Sequence, residues 1–513
     1  NALIAFPLAM LVAGAIALAV GAVAVLTRGF YFIMVTLAFG EMMYSLLHDT
    51  RFAGGSDGAY INVKPEVAVG SWLLLDLEKR VSFLYLCVAL LVLSYLALLA
   101  LARGPLGRVL QGIRWNEARI GALGFNPYSY KLASFTIAGA IAGLAGALFA
   151  TIDGYVTPDL LGWRQSGLAI MMVVLGGVGT LFGPIVGAVL YAGIEEVLKT
   201  GSWVGPIASH WSLALGAILI AAVLVAPKGL VGALASRRTA SVTGSVDLTA
   251  AAPRAIVPRP APAIATEALS RRFGGLVAVR DVTLSLAPNR VHGIIGPNGA
   301  GKTTFINLLS GALRPSSGRI LLDGADVTGL PAYAMARRGV GRSYQITNVL
   351  LPFTVRENCL LAAQARHPSP LRLKRSTALA REEEKTITRA LSAVGLTDRA
   401  QTVAAHLSHG EQRQLEIAML IASGARLLIL DEPLAGMGAE ETERVTRLLR
   451  ALAADHTVIL IEHDIDAIFA AADTLTVLVN GRLLAHGAPN DIRRNAAVRE
   501  AYLGSYGQQE AAQ

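Results

Sequence analysis

The chain has few cysteines and few charged residues, and both shortages limit what it can be. Only two of its 513 residues are cysteines, Cys87 and Cys359, so a disulfide framework is excluded, and neither has metal-ligand spacing. Charged residues make up 16% of the chain, against roughly 25% in a typical soluble domain. Hydrophobic residues make up 53% of the chain.

The net charge of +9 is concentrated in the second half of the chain. Residues 1–226 carry 12 Lys and Arg against 11 Asp and Glu, whereas the remaining residues carry 33 against 25. Basic residues are dense in 227–264, directly after the last hydrophobic run, where they mark a cytoplasmic side and can contact anionic membrane lipid. The sequence has no nucleic-acid recognition motif, so nucleic acid is not expected as a partner.

Hydrophobic runs dominate the first half, at residues 2–26, 30–47, 83–101, 132–152, 166–198 and 210–226. Several reach the roughly 20 residues that a helix needs to cross a bilayer. Small residues recur within them at three- and four-residue spacing, as at 138–146, which favours close helix packing. The sequence therefore predicts an all-α polytopic membrane domain over residues 1–226.

Charge sets the predicted orientation of this domain. Residues 102–131 carry five basic residues against Glu117, which predicts a cytoplasmic segment, whereas 48–81 is predicted to be external. For the chain after 226 to be cytoplasmic as well, the long run 166–198 must cross twice or turn back. Its glycine-rich interruption at 176–184 predicts two short helices that meet there.

Two features of the membrane domain are candidates for a substrate path. Broken helices often mark such a path, although the interruption at 176–184 could equally be a structural kink. Glu41 lies near the middle of run 30–47, where a carboxylate is costly and usually functional. Because that run is short, Glu41 could instead lie near an interface or pair with another helix.

Residues 296–303 read Gly-Pro-Asn-Gly-Ala-Gly-Lys-Thr, the pattern of a phosphate-binding loop between a buried strand and a helix. Glycines let successive backbone N–H groups turn toward an anion. Lys302 is then expected to act as a catalytic residue that contacts the β- and γ-phosphates of ATP, and the Thr303 hydroxyl is expected to hold Mg²⁺. The predicted nucleotide-binding residues here are Gly296, Asn298, Gly299, Ala300, Gly301, Lys302, Thr303 and Thr304.

Two further apolar strands, 427–430 and 458–461, end in Asp431-Glu432 and Glu462-His463. Ligands of α/β sheets bind at the carboxyl ends of strands. We therefore expect Asp431 to hold Mg²⁺ through water and Glu432 to act as general base, although a carboxylate pair can also be structural. The sequence predicts an α/β P-loop domain over 265–513, joined to the membrane domain by a Pro- and Ala-rich linker at 227–264.

The segment Leu-Ser-His-Gly-Glu-Gln at 407–412, in front of Leu-Leu-Ile-Leu-Asp-Glu-Pro, completes a combination that resembles the ATP-binding cassette (ABC) family. The resemblance implies that Phe273 stacks on adenine. It also implies that Gln345 senses Mg²⁺ and the transmembrane partner, and that His463 contacts the γ-phosphate as a catalytic residue.

The signature at 408–412 departs from the commonest family form, Ser-Gly-Gly-Gln, at His409 and Glu411. Ser408 and Gly410 are kept, and the resemblance implies that they contact the γ-phosphate from a helix N-terminus. In this family the signature of one cassette completes the site of another, so a second cassette is expected.

Residues 111–124, within the cytoplasmic segment, read as one short amphipathic helix followed by a glycine. They resemble the coupling helix of ABC importers. The pattern of that helix would be matched here by Glu117, Ala118 and either Gly121 or Gly124. Such a helix docks in a groove of the ATPase. The alternative is an ordinary surface helix between two spans.

Further segments resemble bacterial importers of branched-chain or hydrophobic amino acids, with a permease subunit fused to an ATP-binding subunit. They lie at 28–41, 54–58, 272–275, 415–419, 433–437 and 501–504. The resemblance implies a bacterial inner-membrane protein with its ATPase in the cytoplasm. It implies three partners: a second permease subunit, a second ATPase subunit or second copy of this chain, and a periplasmic substrate-binding protein.

The family's permease normally begins with further helices, so the chain is expected to lack N-terminal helices that a longer chain or a separate subunit supplies.

Three other functions stay open. A urea or short-amide importer would carry the same motifs. An exporter half-transporter is disfavoured by the short loops, and a non-transporting remnant with an active ATPase would follow if the missing helices are lost.

Overall fold

A computed structural model describes residues 1–50, 52–61, 65–69, 72–200, 210–226, 229, 231, 261–345, 347–369, 376–435, 437–462 and 464–500. The predicted linker lies almost wholly outside these residues. The chain divides into two compact units. One contains the described residues of Asn1–Arg103 and Lys131–Ala250, and the other those of Gly104–Tyr130 and Ala251–Gln513. Residues 104–130 thus belong to the second unit, although they precede it in sequence by more than a hundred residues.

Helices make up most of the described chain before residue 227. They are α1 (Ala2–Ala24), α2 (Phe30–Asp49), α3 (Arg80–Arg103), α4 (Pro105–Trp115), α5 (Glu117–Leu123), α6 (Pro127–Asp153), α7 (Trp163–Gly176), α8 (Gly183–Thr200) and α9 (Trp211–Val225). Short strands form two small antiparallel pairs, β1 (Ala59–Tyr60) with β4 (Tyr155–Val156) and β2 (Val67–Val69) with β3 (Trp72–Leu75).

The helices confirm the predicted hydrophobic runs. Among the described residues, four helices are long and apolar enough to cross a membrane, namely α1, α2, α3 and α6, and α9 is a shorter apolar helix. Glu41 lies on α2 with its side chain exposed, so its predicted role in transport stays a prediction.

Small residues bring α1 and α6 into close contact, as the spacing at 138–146 predicts. A Cβ atom added to Gly139 would lie 2.2 Å from Cβ of Ala17, and one added to Gly143 would lie 2.5 Å from Cβ of Ala13. Larger residues would hold the two backbones apart. Dispersion between closely approached backbones drives such packing, because lipid tails are as apolar as the side chains.

The run 166–198 is two helices, α7 and α8, separated by residues 177–182, which confirms the predicted interruption. The helices approach so closely that a Cβ on Gly187 would lie 1.8 Å from the carbonyl oxygen of Met172, and one on Gly176 would lie 1.8 Å from that of Gly183. Glycine is the residue that permits this approach. The interruption is therefore at least a packing device, whatever its part in transport.

The second unit alternates strands with helices, as predicted for residues 265–513. Its strands are β5 (Ile264–Phe273), β6 (Leu276–Leu286), β7 (Val291–Ile295), β8 (Ser317–Leu322), β9 (Ala325–Asp326), β10 (Val340–Arg342), β11 (Leu427–Asp431), β12 (Thr457–Ile461), β13 (Thr474–Val479) and β14 (Arg482–Gly487). Its helices after residue 300 are α10 (Lys302–Leu309), α11 (Ala332–Arg337), α12 (Val355–Gln364), α13 (Thr377–Val394), α14 (His409–Ser423), α15 (Ala439–Leu452), α16 (Ile465–Ala471), α17 (Pro489–Arg494) and α18 (Ala496–Val498).

Two sheets organise this unit. The larger has the strand order β10-β11-β12-β7-β13-β14 and is parallel except for β14, while the smaller, β6-β5-β8-β9, is antiparallel. β7, β11 and β12 are buried along their whole length, which is why they read as continuous apolar runs. Because they are parallel neighbours, their carboxyl ends meet at one edge of the sheet.

A buried histidine on β7 makes the stability of this unit sensitive to acid. His292 is 1% exposed. Its Nε2 donates to the carbonyl oxygen of Ala287 at 2.7 Å, and its Nδ1 lies 2.6 Å from Oγ1 of Thr474. The neutral ring satisfies both contacts by accepting the Thr474 hydroxyl at Nδ1. Burial lowers the pKa of His292 from its ordinary value of 6.5, and it also lowers the pKa of His456.

We expect the protein to lose stability as pH falls below about 6.5, the ordinary pKa of histidine. The unfolded chain takes up protons there and the folded chain does not, so the free energy of unfolding falls, by at most about 1.4 kcal/mol per pH unit for one histidine. Thermal unfolding of the full-length protein between pH 5 and pH 8 measures this. His292→Asn should flatten the profile, whereas the same change at the exposed His406 should leave it intact. An identical profile in both variants would contradict the assignment.

Candidate nucleotide-binding site

The phosphate loop lies between the carboxyl end of β7 and the first turn of α10. Gly296, Gly299 and Gly301 all have positive φ, at 155°, 81° and 93°. A Cβ on Gly296 would lie 2.1 Å from the carbonyl oxygen of Leu478, and one on Gly301 would lie 2.3 Å from that of Ala278. Glycine is therefore required at both positions by backbone conformation and by space.

Lys302 begins α10 and folds back over the loop. Its Nζ donates to the carbonyl oxygens of Gly296 at 2.6 Å and Pro297 at 3.1 Å. Burial lowers the pKa of Lys302, while the nearby Glu432 and Asp431 act in the opposite direction. Thr303, beside it in the first turn, is exposed. The loop thus combines a glycine cradle, a helix N-terminus, the Lys302 ammonium and the exposed Thr303, the set of groups that a nucleotide phosphate and its metal ion need.

Asp431 and Glu432 follow β11 at the same edge of the sheet. The Asp431 N–H donates to Oγ of Ser343 at 3.1 Å, and its carboxylate lies 3.8 Å from the Arg342 guanidinium. Glu432 has φ of 51°, a left-handed conformation that is unusual for a glutamate, and its N–H donates to the carbonyl oxygen of Ile461 at 2.9 Å. Strained backbone of this kind concentrates at functional sites.

The side chain of Gln345 lies against the carboxylate of Glu432. Its Nε2 donates to Oε1 of Glu432 at 3.1 Å. The structure therefore joins a residue identified through family resemblance to one identified from strand-end chemistry. Lys302, through its electrostatic interaction with both carboxylates, belongs to the same cluster.

The other predicted positions are distributed as follows. Phe273 ends β5, is 42% exposed and has the Arg271 guanidinium 4.6 Å from its ring centroid. Asn298 and Thr304 lie in the loop and first turn of α10, where Ala300 is buried. His463 lies outside the described residues. Its neighbour Glu462 is buried and accepts from the Leu434 N–H at 2.7 Å, which ties the chain after β12 to the turn after β11.

The signature begins helix α14, and its unusual glutamate has a structural reason. Oγ of Ser408 accepts from the Glu411 N–H at 3.2 Å, while the Ser408 N–H donates to Oε2 of Glu411 at 2.9 Å. This reciprocal pair is a capping box. Ser-x-x-Glu was a signal already legible in the sequence. Gly410 is buried in the first turn, and His409 is exposed. Among the described residues, no hydrogen bond or ion pair joins Ser408 to the phosphate loop of its own chain.

The predicted coupling helix is two helices, so the expectation of a single one over 111–124 was wrong. Asn116 separates α4 from α5, and its side chain caps α5 by accepting from the Arg119 N–H at 2.9 Å. Gly124 ends α5 with φ of 113°, whereas a Cβ on Gly121 would meet open space. Of the two glycines that could match the family pattern, Gly124 is the one that the backbone requires.

This segment packs into the cassette unit. A Cβ on Gly112 would lie 2.6 Å from Cδ1 of Ile120 and 3.1 Å from Cδ2 of Leu361 on α12. Arg337 on α11 donates to the carbonyl oxygen of Gly124 at 2.9 Å, and Asn116 donates to Oδ1 of Asn348. Cys359 of α12 is fully buried here, and burial raises the pKa of its thiol to about 12, with Arg119 acting against that shift.

Sequence reasoning missed the most buried charge of this segment. Arg119 is 0% exposed and lies 3.3 Å from the carboxylate of Glu416 on α14, which is 1% exposed. Arg413, one turn earlier on α14, contacts the same carboxylate at 3.1 Å. The one available signal was Glu416 itself, a charge inside the apolar run Leu415–Met419.

The comparisons with known proteins decide the family. A model described as "Branched-chain amino acid transport system / permease component" matches residues 1–226. An "ABC transporter" model matches 279–435, and a "Branched-chain amino acid ATP-binding cassette transporter" model matches 482–507. The ATP-binding protein BraF of Pseudomonas aeruginosa, described as for high-affinity branched-chain amino acid transport, is 41% identical over 251 residues, which are 47% of this chain and 98% of BraF.

The chain belongs to the branched-chain amino acid ABC transporter family. LivG of Escherichia coli, which carries the same description as BraF, is 39% identical over 250 residues, 47% of this chain and 98% of LivG. A solved ATP-binding cassette of an ABC transporter in its ADP conformation is 27% identical, with a TM-score of 0.43, over 47% of this chain and 99% of that one.

Membership of this family has direct consequences. The chain joins the permease component and the ATP-binding component of branched-chain amino acid transport, it is a membrane protein, and its cassette is a transport ATPase. Its family context is a complex with other subunits.

Proposed function

We propose that the chain is a subunit of an ATP-driven importer that moves branched-chain or other hydrophobic amino acids across the bacterial inner membrane, with its ATPase in the cytoplasm. One observation supports this proposal above the others. Residues 104–130, which run in sequence from the end of the apolar helix α3 into the first turn of α6, belong to the cassette unit. There Arg119 donates to the carbonyl oxygen of Arg342, three residues before Gln345, whose side chain donates to Glu432. A permease segment embedded beside an ATPase site is the arrangement that coupled transport needs.

We assign the nucleotide site by role. The nucleotide would be held by Phe273 at adenine, by the loop residues Gly296 and Asn298–Gly301, and by Lys302, Thr303 and Thr304 at the phosphates. Thr303, Gln345 and Asp431 would hold Mg²⁺, which when bound supplies positive charge toward the reacting phosphate. Glu432 orients and deprotonates the attacking water, and the hydrogen bond from Gln345 holds its carboxylate. Ser408 and Gly410 serve the site of a second cassette, and His463 acts at the γ-phosphate.

We assign residues 1–226 to the permease domain, 227–264 to the linker and 265–513 to the ATPase domain, with 104–130 as the part of the permease that docks on the ATPase. The proposed partners are a second permease subunit, a second ATPase subunit or another copy of this chain, and a periplasmic binding protein. The urea or short-amide importer remains the alternative, because substrate choice rests mainly with the binding protein.

The test is uptake in proteoliposomes that contain this chain, its partner permease, its partner ATPase and the candidate binding protein. We expect ATP-dependent accumulation of labelled leucine, isoleucine and valine. Discrimination by one methylene in an apolar pocket is worth only about 1–3 kcal/mol, so rates for the three should differ modestly. Labelled urea at the same concentration is the comparison, and omission of the binding protein is the control.

Accumulation of urea without leucine would overturn the substrate while leaving the transporter class intact. ATP hydrolysis without accumulation of either solute would favour the remnant, and movement of solute out of loaded vesicles would favour the exporter.

A further inference from the structure

The strongest feature that the proposed function leaves unexplained is the buried charge cluster under the docked segment. Arg119 enters the cassette unit from α5 with no solvent exposure, and its Nη1 donates to Oε1 of Glu416 at 3.3 Å and to the carbonyl oxygen of Arg342 at 3.1 Å. Taking an arginine out of water is costly unless the charge is paired with good geometry. A hydrophobic residue would dock the same segment without that cost, so stability alone does not account for Arg119.

Glu416 also contacts Arg413 and the backbone at Tyr344, next to Gln345. Its Oε2 lies 3.1 Å from Nη1 of Arg413, and its Oε1 accepts from the N–H of Tyr344 at 3.3 Å. Arg413 in turn donates to the carbonyl oxygen of Tyr344 at 2.5 Å and to that of Gln345. The Glu416 carboxylate therefore binds the backbone N–H of Tyr344, and the Arg413 guanidinium binds the backbone carbonyl oxygens of residues 344 and 345.

The far end of this network is the reacting carboxylate. Arg413 holds the backbone of Gln345, and Nε2 of the Gln345 side chain donates to Oε1 of Glu432 at 3.1 Å. Hydrogen bonds thus run from Arg119 through Glu416 and Arg413 to the backbone of Gln345, and the Gln345 side chain completes the connection to Glu432. All of its members lie in one compact unit.

We propose that Arg119, Glu416 and Arg413 are positioning residues through which the segment between α3 and α6 sets Gln345 against Glu432, so that ATP hydrolysis is fast only while Arg119 is seated. The proposal rests on the functions proposed for Gln345 and Glu432. Among the described residues, Arg119 has no hydrogen bond or ion pair to a predicted nucleotide-binding group, so we expect its effect on the rate of hydrolysis and not on nucleotide affinity.

The experiment compares Arg119→Met with Arg114→Met in the full-length chain assembled with its partner subunits in lipid. Arg114 is the matched control, because it lies on α4 of the same segment with an exposed guanidinium. We expect Arg119→Met to lower kcat for ATP at least tenfold and to change KM less than twofold. Arg114→Met should leave both unchanged, and Arg119→Lys should recover part of kcat, since it keeps the charge.

Docking is monitored separately through Cys359, which is fully buried on α12. Leu361 of the same helix lies next to Gly112 of the segment, and Arg119 acts electrostatically on the Cys359 thiol. In a Cys87→Ser background, its reactivity with a maleimide reports whether that helix stays covered. A protected thiol with low kcat supports positioning, and a protected thiol with unchanged kcat overturns it. If Arg119→Met exposes the thiol, Arg119→Met combined with Glu416→Leu removes the stranded carboxylate. Low kcat with the thiol protected in that double variant supports the proposal. Full kcat overturns it, because Arg119 would then be unnecessary for hydrolysis. Continued exposure of the thiol also overturns it, because Arg119 would then be only a docking anchor.

Failure of the proposed function gives a different result. If Glu432→Gln hydrolyses ATP at the normal rate, the assignment of the general base is wrong whatever Arg119 does. If Glu432→Gln is inactive and Arg119→Met is normal with Cys359 protected, only the positioning network is wrong.

Discussion

Replacing Glu432 by glutamine is expected to slow steady-state ATP hydrolysis by about 10²- to 10⁴-fold while leaving ATP binding intact, the usual cost of losing one general base. Glutamine has the same shape and can still accept the hydrogen bond from Gln345, which is 3.1 Å long in the native chain. It can also hold the attacking water, but it cannot take its proton. Phosphate release by the assembled transporter gives the rate, and a fluorescent nucleotide analogue gives the affinity.

A surface carboxylate provides the control for this substitution. Glu443 on α15 is mostly exposed and lies 3.9 Å from Arg447, also exposed. Exposed pairs contribute little, so Glu443→Gln should hydrolyse ATP normally. Normal turnover by Glu432→Gln, with its partner subunits present, would remove Glu432 from the reaction.

Replacing Gly187 by alanine is expected to break the α7–α8 hairpin and with it the assembled membrane domain. The added Cβ would lie 1.8 Å from the carbonyl oxygen of Met172 and 2.9 Å from the N–H nitrogen of Gly176. Both are backbone atoms, so no side chain can move aside and the helices must separate. Overpacking typically costs about 1–3 kcal/mol when side chains can adjust, and this site lacks that adjustment. Size-exclusion chromatography in mild detergent measures the folded fraction.

Gly193, on the same helix α8, provides a matched control for the Gly187 substitution. A Cβ there would meet nothing within 4 Å, and alanine favours helix over glycine by up to about 1 kcal/mol. Gly193→Ala should therefore fold at least as well as the native chain. Equal folded fractions for the two variants would show that α7 and α8 do not pack through Gly187.

The sequence determined those features that depend on short stretches of chain. Three glycines at 296, 299 and 301 before Lys302 specify a phosphate loop because only glycine allows that backbone, and the apolar runs specify buried strands and spanning helices because burial follows local composition. The two residues were predicted separately, Gln345 through family resemblance and Glu432 from its position at a strand end, and only the structure showed that they form a pair.

The tertiary structure decided what depends on residues far apart in the chain. Arg119 and Glu416 are separated by 297 positions, and nothing in the composition around either one names its partner. The break at Asn116 was missed because the stretch also reads as one continuous amphipathic helix, although Asn before Glu117 is a recognisable N-cap. The placement of residues 104–130 in the cassette unit has the same cause. Local sequence fixes which backbone conformations and which apolar faces are available, whereas long-range packing selects the partners that satisfy a buried charge.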